Sequence, residues 1–144
     1  MKTLRILSVV FLFFLIMVGC NKEPVPSGDD QKIEDRSVLN GTYTGIFTAK
    51  YGSEIKTGSV TLEMKNGYYT CSGDYNTIPA GGGGTFYTKK GKITFYSTGA
   101  IGATVFDANL ILVGDYYYSL IGKKLIISKE RSSDINYEYN LEKL

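Results

Sequence analysis

The sequence of 144 residues contains no His and no Trp, and its two Cys residues are Cys20 and Cys71. The absence of His excludes catalytic triads that use an imidazole base and zinc sites assembled from Cys and His. The carboxylates are scattered, and Asp74 and Asp107, in or near predicted loops, are the least unfavourable acid–base candidates. We therefore expect no metal, no other cofactor and no enzymatic activity.

The charge of the chain is close to balance. Lys and Arg together number 16, and Asp and Glu number 14. Residues 1–19 contain Lys2 and Arg5 and no acid, so the remainder has 14 basic and 14 acidic residues. A balanced composition lacks the basic surface that nucleic acids require. We therefore expect no nucleic-acid partner.

Apolar runs are short, and the longest lies near the N-terminus. Residues 6–18 are apolar apart from Ser8, but these 13 residues fall short of the roughly 20 that span a bilayer. The run ends in Met17-Val18-Gly19-Cys20, and polar residues follow. This pattern resembles the lipobox of bacterial lipoproteins, in which the Cys becomes the acylated first residue of the mature chain. The resemblance implies a signal peptide at residues 1–19 and palmitate or similar acyl chains on Cys20; the alternative is an uncleaved anchor helix.

Acylation of Cys20 would make the membrane a partner of the protein, because two or more acyl chains bind a bilayer firmly. It would also leave Cys71 without a disulfide partner, and we expect Cys71 to be a buried, unreactive thiol. Residues 20–39 carry Pro24, Pro26 and several acids but no aromatic residue, which predicts a flexible tether. A short helix over residues 31–39 is compatible with this segment.

The composition changes at Asn40, after which all 12 Tyr occur. Aromatic and β-branched runs separated by Gly and Asn predict an all-β domain over residues 40–144. We predict eight strands, at residues 41–49, 58–65, 68–73, 85–89, 92–97, 115–121, 123–129 and 136–143. Short connections between them favour a single antiparallel up-and-down β-barrel, and the alternative is a β-sandwich. Two interpretations of residues 99–113 stay open. Phe106, Leu110 and Val113 have helical spacing, whereas residues 110–113 could equally extend the sixth strand.

Alternation within the strands predicts which side chains face inward. Val60, Leu62 and Met64 alternate with polar residues, and so do Tyr137, Tyr139 and Leu141. Asn66-Gly67 is the strongest hairpin signal, because a type I′ turn needs positive φ at both central residues. An eight-stranded barrel has an interior that side chains just fill or that holds one small ligand.

Two segments resemble a known group of proteins. Asn40-Gly41-Thr42-Tyr43-Thr44-Gly45 opens the first strand, and Tyr137-Glu138-Tyr139-Asn140-Leu141 lies in the last. With the meander between them, residues 40–144 resemble the small lipocalin-like lipoproteins of Bacteroidetes-type bacteria, with Tyr43 where lipocalins have the Trp of Gly-x-Trp. The resemblance implies a binding role for the barrel. Asn21 in place of Asp after Cys20 implies the outer membrane, and Asn21-Lys22-Glu23 resembles surface-export signals, so either the periplasmic face or the cell surface is compatible.

Tyrosines are the candidate ligand-binding residues. Tyr116 and Tyr118 share one strand face, and aromatic rings with hydroxyl tips suit sugars and other amphipathic ligands. The same rings could instead stabilise the sheet through cross-strand pairs. Gly81–Gly84 lacks the Lys and following helix of a phosphate-binding loop, so we interpret it as a flexible loop at the barrel mouth. A further hypothesis is that this loop moves beside Tyr75 and Tyr87 and gates the entry of a ligand.

Two functions of different classes follow from these observations. The first is a membrane-anchored, non-catalytic binding module that holds a small apolar or amphipathic molecule. The second is an interaction protein, such as an inhibitor or accessory subunit of an outer-membrane complex, which uses the barrel loops to bind a protein partner at the cell envelope. The presence or absence of space inside the barrel distinguishes the two.

Overall fold

The computed structural model describes residues 36–73, 76–99 and 107–144, and within them eight strands form one closed antiparallel barrel. Each strand pairs with the next along the chain, and β8 pairs with β1. The strands are β1 (Gly41–Tyr51), β2 (Glu54–Lys65), β3 (Tyr68–Cys71), β4 (Gly82–Lys89), β5 (Lys92–Ser97), β6 (Gly114–Ile121), β7 (Lys124–Ser132) and β8 (Ile135–Lys143). The predicted up-and-down barrel is confirmed, and the sandwich alternative is wrong because the sheet closes on itself.

Two 3₁₀ helices accompany the strands, at Arg36–Leu39 and Ala108–Leu110. Neither of these helices in the described part of the chain has the length or apolar character needed to cross a membrane.

The hairpin turns follow from local backbone chemistry. Asn66 and Gly67 have φ of 52° and 84°, which confirms the predicted pair of positive angles. Lys90 and Gly91 repeat this geometry, with φ of 52° and 75°. Strands β1, β2 and β7 extend further than predicted, because their hairpin partners continue the ladder to Tyr51↔Glu54 and Ser132↔Ile135.

The predicted inward phase of the strands is confirmed. Val60, Leu62 and Met64 are buried, while Thr61 and Glu63 between them are exposed. The same alternation buries Ile93 and Phe95 in β5, Leu125 and Ile127 in β7, and Tyr137, Tyr139 and Leu141 in β8. Period-two alternation in a closed sheet therefore collects these side chains in a single core.

The barrel has two different ends. We call one the turn end, since it carries the turns at residues 66–67, 90–91 and 122–123. The other is the loop end, which carries the connections at residues 72–81 and 98–113.

The 3₁₀ helix Arg36–Leu39 closes the turn end. Leu39 is completely buried, and its carbonyl oxygen accepts a hydrogen bond of 3.0 Å from the Tyr43 hydroxyl. The Arg36 guanidinium donates to the Phe86 carbonyl oxygen at 3.1 Å. The last four residues of the predicted tether therefore belong to the barrel. The predicted helix over 31–39 is present for 36–39, and residues 31–35 lie outside the described part.

The second 3₁₀ helix lies at the loop end. Leu110 and Leu112 are buried against the core. The Leu112 amide donates to the Gly81 carbonyl oxygen and the Ala80 amide to that of Leu110, each at 3.0 Å. Residues 110–113 do not extend β6, which begins at Gly114. The rest of the ambiguous segment, residues 100–106, lies outside the described part.

The glycine run differs from its prediction. Gly82–Gly84 form the first part of β4, where they pair with Cys71, Thr70 and Tyr69 of β3. The Gly83 carbonyl oxygen also accepts a hydrogen bond from the Thr98 amide at 3.0 Å. The predicted gating loop at Gly81–Gly84 is therefore wrong, because these glycines carry ladder hydrogen bonds.

Alanine substitutions in this run distinguish a strand from a loop. A Cβ at Gly84 would overlap the Tyr96 carbonyl oxygen, whereas a Cβ at Gly83 would have its nearest neighbours at 3.6 Å. We expect Gly84→Ala to lower the free energy of unfolding by about 1–3 kcal/mol, as overpacking does. Gly83→Ala, the matched control, should change it by no more than about 0.5 kcal/mol. Urea denaturation measures both, and equally small effects would support a loop.

Candidate functional site

Aromatic rings occupy the barrel interior. Ring centroids in contact are separated by 4.6 to 6.5 Å, and the contacts form one continuous chain. Its members are Phe86, Tyr69, Phe95, Tyr116, Tyr139, Phe47, Tyr137 and Tyr51. Seven of these eight are at most 3% exposed, the exception being Tyr51. The described inward-facing side chains therefore fill the interior in the way expected for eight strands.

The candidate tyrosines are distributed over different surfaces. Tyr116 is buried among the interior rings, and Tyr118 is half-buried against the same core. Tyr87 lies on the outer face of β4 and is 39% exposed. Tyr75 lies outside the described residues. Tyr87 and Tyr116 are therefore on opposite faces of the sheet and do not line the same surface.

Two interior hydroxyls lack a hydrogen-bond acceptor. The Tyr116 and Tyr139 hydroxyls are buried, and neither donates a hydrogen bond to another described residue. Burial raises the pKa of both phenols, so both remain protonated donors. By contrast, the Tyr69 hydroxyl donates to the Leu112 carbonyl oxygen at 2.5 Å. The middle of the barrel therefore has two unused donors.

Cys71 lies on the inner face of β3. Its thiol is 7% exposed, and burial raises its pKa to about 12. A thiolate is the reactive form of Cys, so this thiol is not a nucleophile near neutral pH. The prediction of a buried Cys71 is confirmed.

Asp107 is the centre of a polar cluster at the loop end. Its Oδ2 accepts hydrogen bonds from the Tyr51 and Tyr137 hydroxyls at 2.8 and 2.6 Å. Its Oδ1 accepts from the backbone N–H and the side-chain amide of Asn109 at 2.9 and 2.5 Å. Burial alone would raise the pKa of Asp107, but these hydrogen bonds outweigh it and lower the pKa to about 2.

Asp107 therefore lacks the properties of the acid–base candidate that we predicted. A general acid or base needs a pKa close to the working pH, whereas this carboxylate stays ionised and accepts four hydrogen bonds. Its position suits a structural role, since it ties residues 107–112 to rings from β1 and β8. The other candidate, Asp74, lies outside the described residues.

The outer face of β3 to β6 carries a cluster of exposed rings that the sequence analysis did not identify. All exposed tyrosines of the described segments lie there, and we call them the tyrosine face: Tyr68, Tyr87, Tyr96 and Tyr117. Tyr68 and Tyr96 flank Thr85 in one cross-strand row. The rings of Tyr87 and Tyr96 stack, with centroids 5.7 Å apart and an interplanar angle of 21°.

A groove adjoins the tyrosine face. The cross-strand row next to Tyr68–Thr85–Tyr96 contains Thr70 of β3, which pairs with Gly83 of β4. Thr98, whose amide donates to the Gly83 carbonyl oxygen, follows β5 on the other side of Gly83. Because Gly83 has no side chain, a groove of about 400 Å³ opens there, which we call the glycine groove. It is lined by Thr70, Ala80, Gly82, Gly83, Gly84, Ser97, Thr98, Gly99 and Ile111. None of these side chains is charged, and three carry hydroxyls.

A second outer depression has different chemistry. It measures about 560 Å³ and lies over β1 and β8 around Gly45. Lys124, Glu138 and Glu142 contribute charged walls to it. The glycine groove, which is uncharged and lies beside stacked rings, is therefore the better candidate for a neutral ligand.

No protein-family model, curated protein or solved structure matches this chain.

The Asp107 cluster predicts a pH-dependent stability. In Asp107→Asn, an NH₂ group replaces one carboxylate oxygen and cannot accept the hydrogen bonds that this oxygen receives. We therefore expect the free energy of unfolding near neutral pH to fall by about 1–3 kcal/mol. The folded pKa of about 2 is below the ordinary value of 3.8. The contribution of the ionised carboxylate to the free energy of unfolding is therefore complete above pH 3.8 and is lost as the pH falls through about 2.

Urea denaturation of the wild type and Asp107→Asn at neutral and acidic pH tests this linkage. The difference between them should shrink as the pH approaches 2. Asp134→Asn, in the exposed β7–β8 turn, is the control and should stay within about 0.5 kcal/mol of the wild type. A penalty for Asp107→Asn that does not depend on pH would contradict the assigned role of the carboxylate.

Proposed function

We propose that this chain is a non-catalytic binding protein, anchored to the cell envelope through an acylated Cys20, that binds a neutral amphipathic ligand on the outside of its barrel. The anchor is supported by the apolar run before Gly19-Cys20 and by the polar segment that follows. Asn21 after Cys20 supports the outer membrane as the location. The similarity to lipocalin-like lipoproteins supports a binding role.

The observation that carries the binding proposal is the tyrosine face beside the glycine groove. A contiguous exposed apolar patch often marks an interaction or ligand site, and the exposed tyrosines of the described segments lie together on neighbouring strands. The stacked pair Tyr87–Tyr96 offers a flat apolar surface. The hydroxyls of Thr70, Ser97 and Thr98 offer hydrogen bonds within the adjoining groove.

This combination favours an oligosaccharide-like ligand. A sugar ring has an apolar face that packs on an aromatic ring and a rim of hydroxyls that needs polar partners. The uncharged lining of the groove disfavours anionic and cationic ligands, which would lose hydration without gaining a counter-charge.

A ligand inside the barrel is the second candidate. The unpartnered hydroxyls of Tyr116 and Tyr139 support it, because a buried donor without an acceptor is unfavourable by about 1–3 kcal/mol. A small polar molecule between them would relieve this penalty. Against it stands the continuous packing of the interior rings, which makes the outer site our first choice.

A protein partner remains the alternative function. Tyr is enriched at protein interfaces, so the tyrosine face would also suit an interaction protein. That function predicts binding that depends on the four exposed rings but not on the glycine groove.

The anchor predicts that Cys20 is the site of lipid attachment. Metabolic labelling with a palmitate analogue should mark the wild type, and Cys20→Ala should abolish both the label and processing of the precursor. Cys71→Ala is the matched control and should retain the label, because its thiol is buried in the barrel. Undiminished labelling of Cys20→Ala would contradict the anchor.

The binding site predicts which substitutions weaken ligand binding. The chain has no Trp, so its tyrosine fluorescence can be followed during titration with cellohexaose, maltohexaose, chitohexaose and mannohexaose. We expect at least one to bind, and Tyr96→Ala to weaken its binding by about tenfold or more through loss of a stacked ring. Gly83→Val should have a similar effect, because its side chain would fill the groove.

Two controls separate the candidate functions. Ile55→Ala removes an exposed apolar side chain of β2, away from the tyrosine face, and should not change binding. Tyr116→Phe should also leave binding unchanged if the ligand lies outside the barrel, and should abolish it if the ligand lies inside. Failure of every oligosaccharide to bind would contradict the proposed ligand class.

A further inference from the structure

The barrel separates its charges along its axis, although the sequence downstream of residue 19 is balanced. Eight cationic residues lie at the turn end, in the 3₁₀ helix, the hairpin turns or the adjoining strand termini. They are Arg36, Lys65, Lys89, Lys90, Lys92, Lys123, Lys124 and Lys143. Glu63 and Glu142 are the acids nearest this end among the described residues, which leaves a strong positive excess.

The loop end has the opposite balance. Its described cations are Lys50, Lys56, Lys129 and Arg131. Its described acids are Glu54, Asp107, Asp115, Glu130 and Asp134. The alternation of strand direction thus places eight of the 12 described Lys and Arg residues at the turn end.

The lysines of the turn end are available to a partner. Lys65, Lys89, Lys90, Lys92, Lys123 and Lys124 are exposed. Among the described residues, Lys56 Nζ forms an ion pair with Glu54 Oε1 at 3.2 Å, and both residues lie at the loop end. Carboxylates of the described residues therefore form no ion pair within 4.0 Å with the lysines of the turn end.

The chain enters the barrel at this same end. Leu39 closes the turn end, and β1 begins two residues later at Gly41. Only 16 positions separate Arg36 from Cys20. A random coil of that length has a root-mean-square span of about 20–25 Å, so an anchored Cys20 would keep the turn end close to the bilayer.

We propose that the turn end is a docking surface for anionic lipid headgroups, which orients the barrel with its loop end away from the membrane. This inference rests on the proposed anchor at Cys20. Lipid phosphates offer a continuous negative surface that matches lysines distributed around a rim. The glycine groove, which borders the loop-end connections through Ala80, Thr98 and Ile111, would then face away from the bilayer.

The docking surface can be tested without the acyl chains, using residues 21–144. Strands β1–β8 are all paired on both sides within residues 41–143, so the barrel needs no partner to fold. We expect co-sedimentation with vesicles of phosphatidylglycerol and phosphatidylcholine, little binding to phosphatidylcholine alone, and loss of binding in high salt. The triple variant Lys89→Gln, Lys90→Gln, Lys123→Gln should bind at least tenfold more weakly, since each Lys contributes about fivefold.

A matched triple variant at the loop end provides the control. Lys50→Gln, Lys56→Gln and Arg131→Gln together remove the same charge and should leave vesicle binding nearly unchanged. Equal weakening by both triple variants would overturn the proposal, because net charge rather than the turn end would then explain binding. Absence of binding to anionic vesicles would overturn it as well.

Palmitate labelling of Cys20 and oligosaccharide binding are measured separately from vesicle binding. Absence of the palmitate label would reject the anchor, and absence of oligosaccharide binding would reject the ligand site. Absence of vesicle binding alone would reject only the docking surface.

Discussion

The pairing of β1 with β8 is the constraint on which the rest of the structure depends. It runs from Tyr43↔Lys143 to Tyr51↔Ile135 and leaves no strand edge open. Gly45 lies in this seam, where a Cβ would overlap the Asn140 carbonyl oxygen. Closure therefore needs a residue without a side chain at this position. Once the sheet is closed, alternate side chains must share one narrow interior, and aromatic rings in mostly edge-to-face and tilted contacts occupy it.

Tyrosine suits this interior because its ring is apolar and its hydroxyl needs a partner. Near the ends of the barrel the hydroxyls find partners in the segments that close it. The Tyr43 hydroxyl donates a hydrogen bond to the Leu39 carbonyl oxygen at the turn end, and the Tyr69 hydroxyl donates to that of Leu112 at the loop end. Tyr137 reaches Asp107 in the same region. These core residues thus also hold the two closing segments in place, whereas the buried hydroxyls of Tyr116 and Tyr139, in the middle of the described barrel, make no such contact.

The outer surface is divided into regions with different chemistry. The tyrosine face and glycine groove lie on β3 to β6, a charged depression lies over β1 and β8, and lysines surround the turn end. A filled interior directs attention to these outer surfaces. An anchored barrel with its lysines toward the bilayer would leave the glycine groove accessible near the loop end, so the two proposals are compatible in one molecule.

Local patterns in the sequence were sufficient to predict the strands, their inward faces and the turn at Asn66-Gly67, because alternation and positive φ are properties of neighbouring residues. They failed at Gly82–Gly84, since glycines show no alternation and only the partners Tyr69 and Thr70 make them a strand. They also failed to separate Tyr87 from Tyr116 and to identify the lysine-rich end. These features depend on which strands become neighbours and on where each hairpin turns. The sequence alone therefore determined the barrel and its core, whereas only tertiary pairing decided which rings and charges meet on its surface.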